Sequence, residues 1–287
     1  MENLLKQTKF IINKYKVKAN KNLGQNFLIN EEVVNQIIDK SNVNKNDLII
    51  EIGPGLGTLT QELLEKAGKV VCIELDNNMV KILQDRFKLY KNFELINADI
   101  LKVNLHEIIR KEKNNNEITN AKIVANLPYY ITTPIIMKLL EEKLDLDTIT
   151  VMVQKEVAER LTAIPGEKNT GAITYSVYYY SEANPIIEVD KNSFIPSPEV
   201  ESEVIQFKIR KQPPVDIEDV DVMFKVIKNV FTQRRKTLLN AMINTKVVES
   251  KEKAINILNK LGLKETVRAE ELSIYEFASI AKSLKNK

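Results

Sequence analysis

One cysteine, one histidine and no tryptophan stand among these 287 residues. A lone cysteine cannot build an internal disulfide framework and suits a reducing compartment, so no disulfide partner is expected. Cys72 lies inside an apolar run, where a buried structural thiol is expected rather than a nucleophile. With His106 it makes no cluster at metal-ligand spacing, and no metal is expected. Ser-His-Asp chemistry would rest on that one histidine, in a polar stretch that does not recommend it. No apolar run nears the ~18 residues that a membrane span needs. The N-terminal segment scatters Lys6, Lys9, Lys14, Lys16 and Lys18 among apolar residues, which breaks up the core a signal peptide requires. A soluble, cytoplasmic protein without membrane contact is expected.

What is present centres on Asp47–Gly57. An apolar run interrupted only by Glu51, Leu48-Ile49-Ile50-Glu51-Ile52, climbs into Gly53, Gly55 and Gly57, and a helical pattern follows from Thr58. Such a run suits a strand covered on both faces, as in a parallel sheet. Glycines at its end let a ligand approach the backbone without meeting a Cβ. A second strand pattern, Lys69–Leu75, places Glu74 close to the ~20-residue offset at which nucleotide-binding folds set a carboxylate on ribose hydroxyls. A dinucleotide fingerprint would put glycine at the sixth position, which is Thr58 here. The Gly-x-Gly-x-Gly form favours S-adenosylmethionine (SAM), with a dinucleotide or a ligand-free tight turn as alternatives.

Strand and helix patterns alternate along the first two-thirds of the chain, the signature of a doubly wound, mostly parallel α/β sheet. Strands are predicted near 47–53, 69–75, 92–97, 121–127 and 147–153. Helices are predicted near 3–15, from Asn30, and near 57–67, 77–90, 103–112 and 133–143. Residues 154–180 read as helical with a break at Ile164-Pro165-Gly166. Strands near 185–190 and 200–209 finish the sheet around Phe194–Pro198. At Lys211-Gln212-Pro213-Pro214 the composition shifts, which divides the chain into 1–210 and a helical 211–287 with helices near 219–231, 235–243, 251–262 and 271–284.

Charge is unevenly spread. Residues 1–22 form a basic arm of +5, residues 208–287 carry +7, and the stretch between holds −9 within a total of +3. An acidic centre between basic ends fits a polyanion gripped from the ends, although a lysine-rich solvated surface would look similar.

Ala121–Tyr130 carries the second chemical signal. It leaves the fourth predicted strand at the carboxyl end, where open α/β sheets bind ligands. An exocyclic amine on a base is a poor nucleophile because its lone pair is conjugated into the ring. Neutral hydrogen-bond acceptors draw it towards a tetrahedral geometry, and the Asn126 side chain with the Leu127 carbonyl can supply them. Pro128 fixes the carbonyl's direction and Tyr129 offers a stacking face.

Several stretches together resemble the small-subunit (16S) ribosomal RNA adenine dimethyltransferase family of the KsgA type. They are Lys21–Leu28, Glu51–Gly57, Asn97-Ala98-Asp99, Asn126–Tyr129, Phe194–Pro198 and Phe231–Leu238, spread from about residue 18 to the C-terminus. The resemblance implies a class I SAM-dependent methyltransferase core with an antiparallel last strand and a small all-helical C-terminal domain. It implies transfer of two methyls to each of two adjacent adenines near the 3′ end of that RNA, with the immature 30S particle as partner. Carried over by position, Asn26 and Leu28 close over SAM, while Gly53 and Gly55 approach its methionine part. Glu74 holds the ribose and Asp99 accepts from the cofactor's adenine. Asn126 bridges the cofactor and the target amine, and Phe194 stacks on the base opposite Tyr129. Arg234, Arg235 and Lys236, expected to head a helix, are taken as phosphate contacts, with Lys155, Arg160 and Lys168 as weaker candidates. Two rivals share the fold: a large-subunit (23S) methyltransferase of the macrolide-resistance type, and an RNA-binding assembly or transcription factor. Leu127, where isoleucine is frequent in the first group, favours the small-subunit type.

Overall fold

The computed structural model describes residues 4–20, 23–114, 117–167 and 169–285. Lys21, Asn22 and Lys168 therefore lie outside the described residues. Two compact units are present: Met1–Ala158 with Glu182–Ile209, and Glu159–Ser181 with Arg210–Lys287.

The first unit begins with helix α1 (Leu4–Lys14) and the short strand β1 (Phe27–Leu28). Helix α2 (Glu31–Lys40) starts where Asn30 accepts from the Glu32 and Val33 amides, and Val33, Val34, Ile37 and Ile38 form its buried stripe. Then come β2 (Asp47–Ile52), α3 (Thr58–Lys66), β3 (Lys69–Glu74), α4 (Asn77–Phe87), β4 (Phe93–Asn97), α5 (Leu105–Lys113) and β5 (Asn120–Asn126). Along the chain follow α6 (Thr132–Glu141), β6 (Thr148–Gln154), α7 (Lys155–Thr162), then α8 (Ala172–Tyr180), which belongs to the second unit, and back in the first unit β7 (Ser181–Val189), β8 (Phe194–Ile195) and β9 (Ser202–Ile209).

Seven strands form one sheet in the order β4-β3-β2-β5-β6-β9-β7. Pairings within β4-β3-β2-β5-β6 are parallel, and β9 runs antiparallel to β6. Every residue of β2 is buried, the acids Asp47 and Glu51 together with the Leu and Ile residues that suit a strand covered on both faces. The chain winds outward from β2 to β4, then returns to lay β5 on the other side of β2. The carboxyl ends of β2 and β5 therefore flank the topological switch point, where open α/β sheets bind ligands.

The second unit is all-helical apart from its joins: α8, α9 (Val220–Phe231), α10 (Leu238–Asn244), α11 (Lys251–Lys260) and α12 (Ile274–Lys285). It is not the contiguous 211–287 expected from composition. Tyr175 and Tyr179 of α8 belong to the same buried cluster as Phe224, Phe231 and Phe277, and the Tyr175 hydroxyl donates to the Leu272 carbonyl at 2.6 Å. That shared core draws Glu159–Ser181 into the helical unit.

Candidate active site at the switch point

The glycine turn and the Asn126 turn meet. A Cβ on Gly53 (φ +66°) would lie 3.5 Å from the Pro128 ring, so the turn after β2 runs directly beside the turn after β5. Gly57 is required for another reason. With φ +83° it begins α3, and a Cβ there would come within 2.5 Å of the Phe87 ring. Around this junction lies a cleft lined by Leu23–Leu28, Gly53, Gly55, Glu74, Leu75, Asp99, Ile100 and Asn126–Ile131.

Each polar group in the cleft is held by a neighbour that leaves it usable. Glu74, at the end of β3, accepts from the Asp76 amide at 2.8 Å and from the Gly55 amide at 3.3 Å. Burial raises its carboxyl above the ordinary value, while those two amides oppose the rise. Among the described residues it has no cationic partner. Asp99 caps the short turn Ile100–Lys102 through the Leu101 amide at 3.0 Å. Asn126 ends β5, and its amide donates to the Asn26 carbonyl at 3.4 Å, which turns the side-chain oxygen away from that contact. The Leu127 side chain is buried, so its contribution to the cleft is backbone; its amide donates to the Met152 carbonyl and prolongs the β5–β6 ladder. Pro128 (φ −61°) leads into the turn Tyr129–Ile131. The Tyr129 hydroxyl shares a 2.6 Å hydrogen bond with Ser202, and burial pushes its pKa up.

Phe194 does not line the cleft: it is 2% exposed and lies in the core cluster with Phe27, Leu28, Ile187 and Val204. Its strand β8 pairs antiparallel with β1, setting Phe194 opposite Leu28. Arg234, Arg235 and Lys236 do not head a helix; they form the turn between α9 and α10, and α10 begins after the cap Thr237. Cations at a helix N-terminus oppose its dipole, whereas a threonine cap satisfies an amide there. Arg234 donates to the Thr170 carbonyl at 3.2 Å and lies 3.7 Å from Glu270, while Arg235 and Lys236 are exposed. Lys155 faces Glu188 and Glu201 at 3.4 and 3.5 Å. The Arg160 side chain packs beside Gly171, and its Nε is buried without a hydrogen-bond partner among the described residues.

Sequence reasoning missed Tyr130, which is 53% exposed at the cleft and whose hydroxyl pKa is raised by burial and by the charges of Asp99 and Glu74. Its place directly after Tyr129 was the available signal. It also missed Gln25 and Asp76, whose side chains meet at 2.8 Å.

Among the described residues, no group of three or more His, Cys, Asp or Glu could hold a metal ion, and no helix is long and apolar enough to cross a membrane. A family model described as ribosomal RNA adenine dimethylase matches residues 16–286. The ribosomal RNA small subunit methyltransferase A of Clostridium botulinum is 47% identical over 274 residues, 96% of this chain and 97% of that one. Its counterpart from Alkaliphilus metalliredigens is 44% identical over 278 residues, covering 97% and 96%. A dimethyladenosine transferase structure from Plasmodium falciparum superposes with TM-score 0.71 at 25% identity, over 88% of this chain and 95% of that one. The 23S rRNA methyltransferase ErmE shares the fold at TM-score 0.67 and 21% identity, over 91% and 100%. With its parallel sheet, its glycine turn and a match over nearly its whole length, the chain belongs to the ribosomal RNA adenine dimethylase family.

Proposed function

We propose that this chain transfers methyl groups from SAM to the exocyclic amines of two adjacent adenines in the 3′-terminal hairpin of small-subunit (16S) ribosomal RNA, acting in the cytoplasm on an immature 30S particle. One observation carries the chemistry: Gly53 abuts Pro128, so a donor on the glycine turn and an acceptor pair at Asn126–Leu127 share one cleft. The choice of RNA rests on relatives named as small-subunit methyltransferases that span this chain almost end to end.

The cleft fits the donor. Its lining carries the Glu74 and Asp99 carboxylates with side-chain amides and hydroxyls, partners for the hydroxyl and amine groups of an adenosine-containing donor. Glu74 would hold ribose hydroxyls, Asp99 an adenine amine, and Gly53, Gly55, Asn26 and Leu28 the remainder. When bound, the donor supplies an electrophilic methyl on a positively charged sulfur, open to in-line displacement by the amine. The Asn126 oxygen and the Leu127 carbonyl accept from the target N–H groups, raising the nitrogen's nucleophilicity as its positive charge develops. Tyr129, its hydroxyl fixed by Ser202, presents a ring for the extruded base. Positioning and exclusion of water supply most of the acceleration. After one transfer a single N–H remains, so the second transfer gives up one acceptor bond. Arg235 and Lys236, and less strongly Arg234, Arg160 and Lys155, would contact RNA phosphates.

Isolated small and large ribosomal subunits lacking the modification, incubated with methyl-labelled SAM, test this assignment. Label in two adjacent dimethyladenines of the small subunit is expected; label confined to the large subunit, or none, overturns it. Asn126→Ala is expected to lower turnover by about 10²- to 10³-fold with donor affinity nearly unchanged. Equal losses in turnover and donor affinity would remove the transition-state role.

A further inference from the structure

Leu23–Leu28 form one wall of the cleft. Three contacts fix that wall. A Cβ on Gly24 would lie 3.6 Å from the Tyr129 nitrogen and from Tyr130 Cδ1, so the wall rests against the turn after β5. The Asn26 carbonyl accepts from Asn126. Between these, Gln25 is gripped from two sides: its Oε1 accepts from the Asn20 amide at 2.9 Å, and its Nε2 donates to Asp76 Oδ2 at 2.8 Å. Asp76 has two further bonds. Its Oδ1 caps α4 through the Asn78 amide at 2.8 Å, and its own amide donates to Glu74 Oε1. The other Glu74 oxygen takes the Gly55 amide. One chain of hydrogen bonds thus joins the wall, the cap of α4, the Glu74 carboxylate and the glycine turn.

We propose that Gln25 is a positioning residue for the methyl donor: by clasping Asp76 it keeps Leu23–Leu28 over the cleft and the Asn26 carbonyl in register with Asn126. The proposal rests on the donor assignment above. The clasp is only part-buried and joins residues 51 apart in sequence, so water competes for it and it opens without unfolding the sheet. Asp76 lies two residues beyond Glu74 and donates to it. A group that engages Glu74 and a closed wall therefore favour each other, and the coupling is reciprocal.

A charge exchange tests the clasp. Gln25→Glu sets a carboxylate against Asp76 while keeping an acceptor for the Asn20 amide. Adding Asp76→Asn restores a carboxylate–amide pair with its polarity reversed, and asparagine caps a helix as well as aspartate does. Asp76→Asn alone is the reference. Amide hydrogen exchange over residues 23–28 is read without ligand, and SAM affinity by calorimetry. Gln25→Glu is expected to speed exchange there about tenfold and to weaken SAM about tenfold, with the double variant within about threefold of the reference. Unchanged exchange in Gln25→Glu, or losses that simply add in the double variant, overturns the clasp. Normal exchange effects in a protein that binds no SAM would instead fault the donor assignment. Tight SAM binding by both the wild type and Gln25→Glu faults the clasp alone.

Discussion

Asp47 opens β2 and Glu74 closes the neighbouring parallel strand β3, so two buried carboxyls lie at opposite ends of adjoining strands. At the amino end, Asp47 is fully enclosed and fully answered. Lys122 Nζ and the Asn44 amide donate to one oxygen at 2.7 and 2.8 Å, and Asn120 donates to the other at 3.1 Å. At the carboxyl end, Glu74 has, among the described residues, only backbone amides, and it lines a cleft. The first acid is electrically complete and binds nothing further. The second keeps acceptor capacity that hydroxyl groups of a ligand can use. On the proposed function, the donor is held where the protein leaves a buried charge without a cation.

The sharpest way to break that contrast is to leave Asp47 unanswered too. Lys122→Met should destabilise the protein by about 3–5 kcal/mol, read by denaturant unfolding, and Asp47→Asn added to it should recover most of the loss. A Lys122→Met protein of normal stability would mean that the pair is not what completes the acid.

Glu51 gives a test from inside β2. It is 1% exposed, accepts from Thr60 at 2.6 Å and from Cys72 at 3.4 Å, and burial pushes its pKa up to about 7 from an ordinary 4.5. Between those two values the native state holds a proton that the unfolded chain has released. Stability therefore falls as pH rises through the window and is level above it. Glu51→Gln should abolish the fall, gaining on the order of 3 kcal/mol over wild type at pH 8 and almost nothing near pH 4. A pH-independent difference between the two proteins would show that Glu51 does not titrate in that window.

Glu74→Gln should behave as the mirror of Lys122→Met. SAM affinity is expected to fall about tenfold or more, while the melting temperature holds or rises because a desolvated charge is gone. A large drop in stability would place Glu74 with Asp47 as a structural acid. The smallest expected effect concerns the cations. Arg235→Ala with Lys236→Ala should lower the salt slope of RNA affinity by about 0.7–0.9 for each phosphate no longer neutralised. Arg234→Ala should change it less, since Arg234 already serves Thr170 and Glu270. Equal slopes in all variants would move the RNA-binding surface elsewhere.

Much of this was legible in the chain alone. The Leu- and Ile-rich run of β2, the glycines at alternate positions after it and the carboxylate at Glu74 are local patterns, and local patterns set strand, turn and offset. Asn126–Tyr129 was legible as a turn at the carboxyl end of a strand, and the structure sets it beside the glycine turn. Less legible were the residues whose role depends on a distant partner. Phe194 has an aromatic ring fit for stacking, yet it lies in the core on β8, which pairs with β1. The helix after Arg235 was expected too early because the periodicity continues through the turn, while Thr237 fixes the true start.

By itself the sequence determined the class of sheet, the glycine turn after β2 and the Asn126–Tyr129 turn after β5, since each is written in neighbouring residues. Only the tertiary structure decided that Gln25 meets Asp76, that Ser202 holds Tyr129, that Glu159–Ser181 joins the helical unit, and which buried acid has its own cation. Those facts depend on which strands become neighbours and which side chains share a core. Hydrophobic burial, summed over the whole chain, sets both, and it is not encoded at any one position.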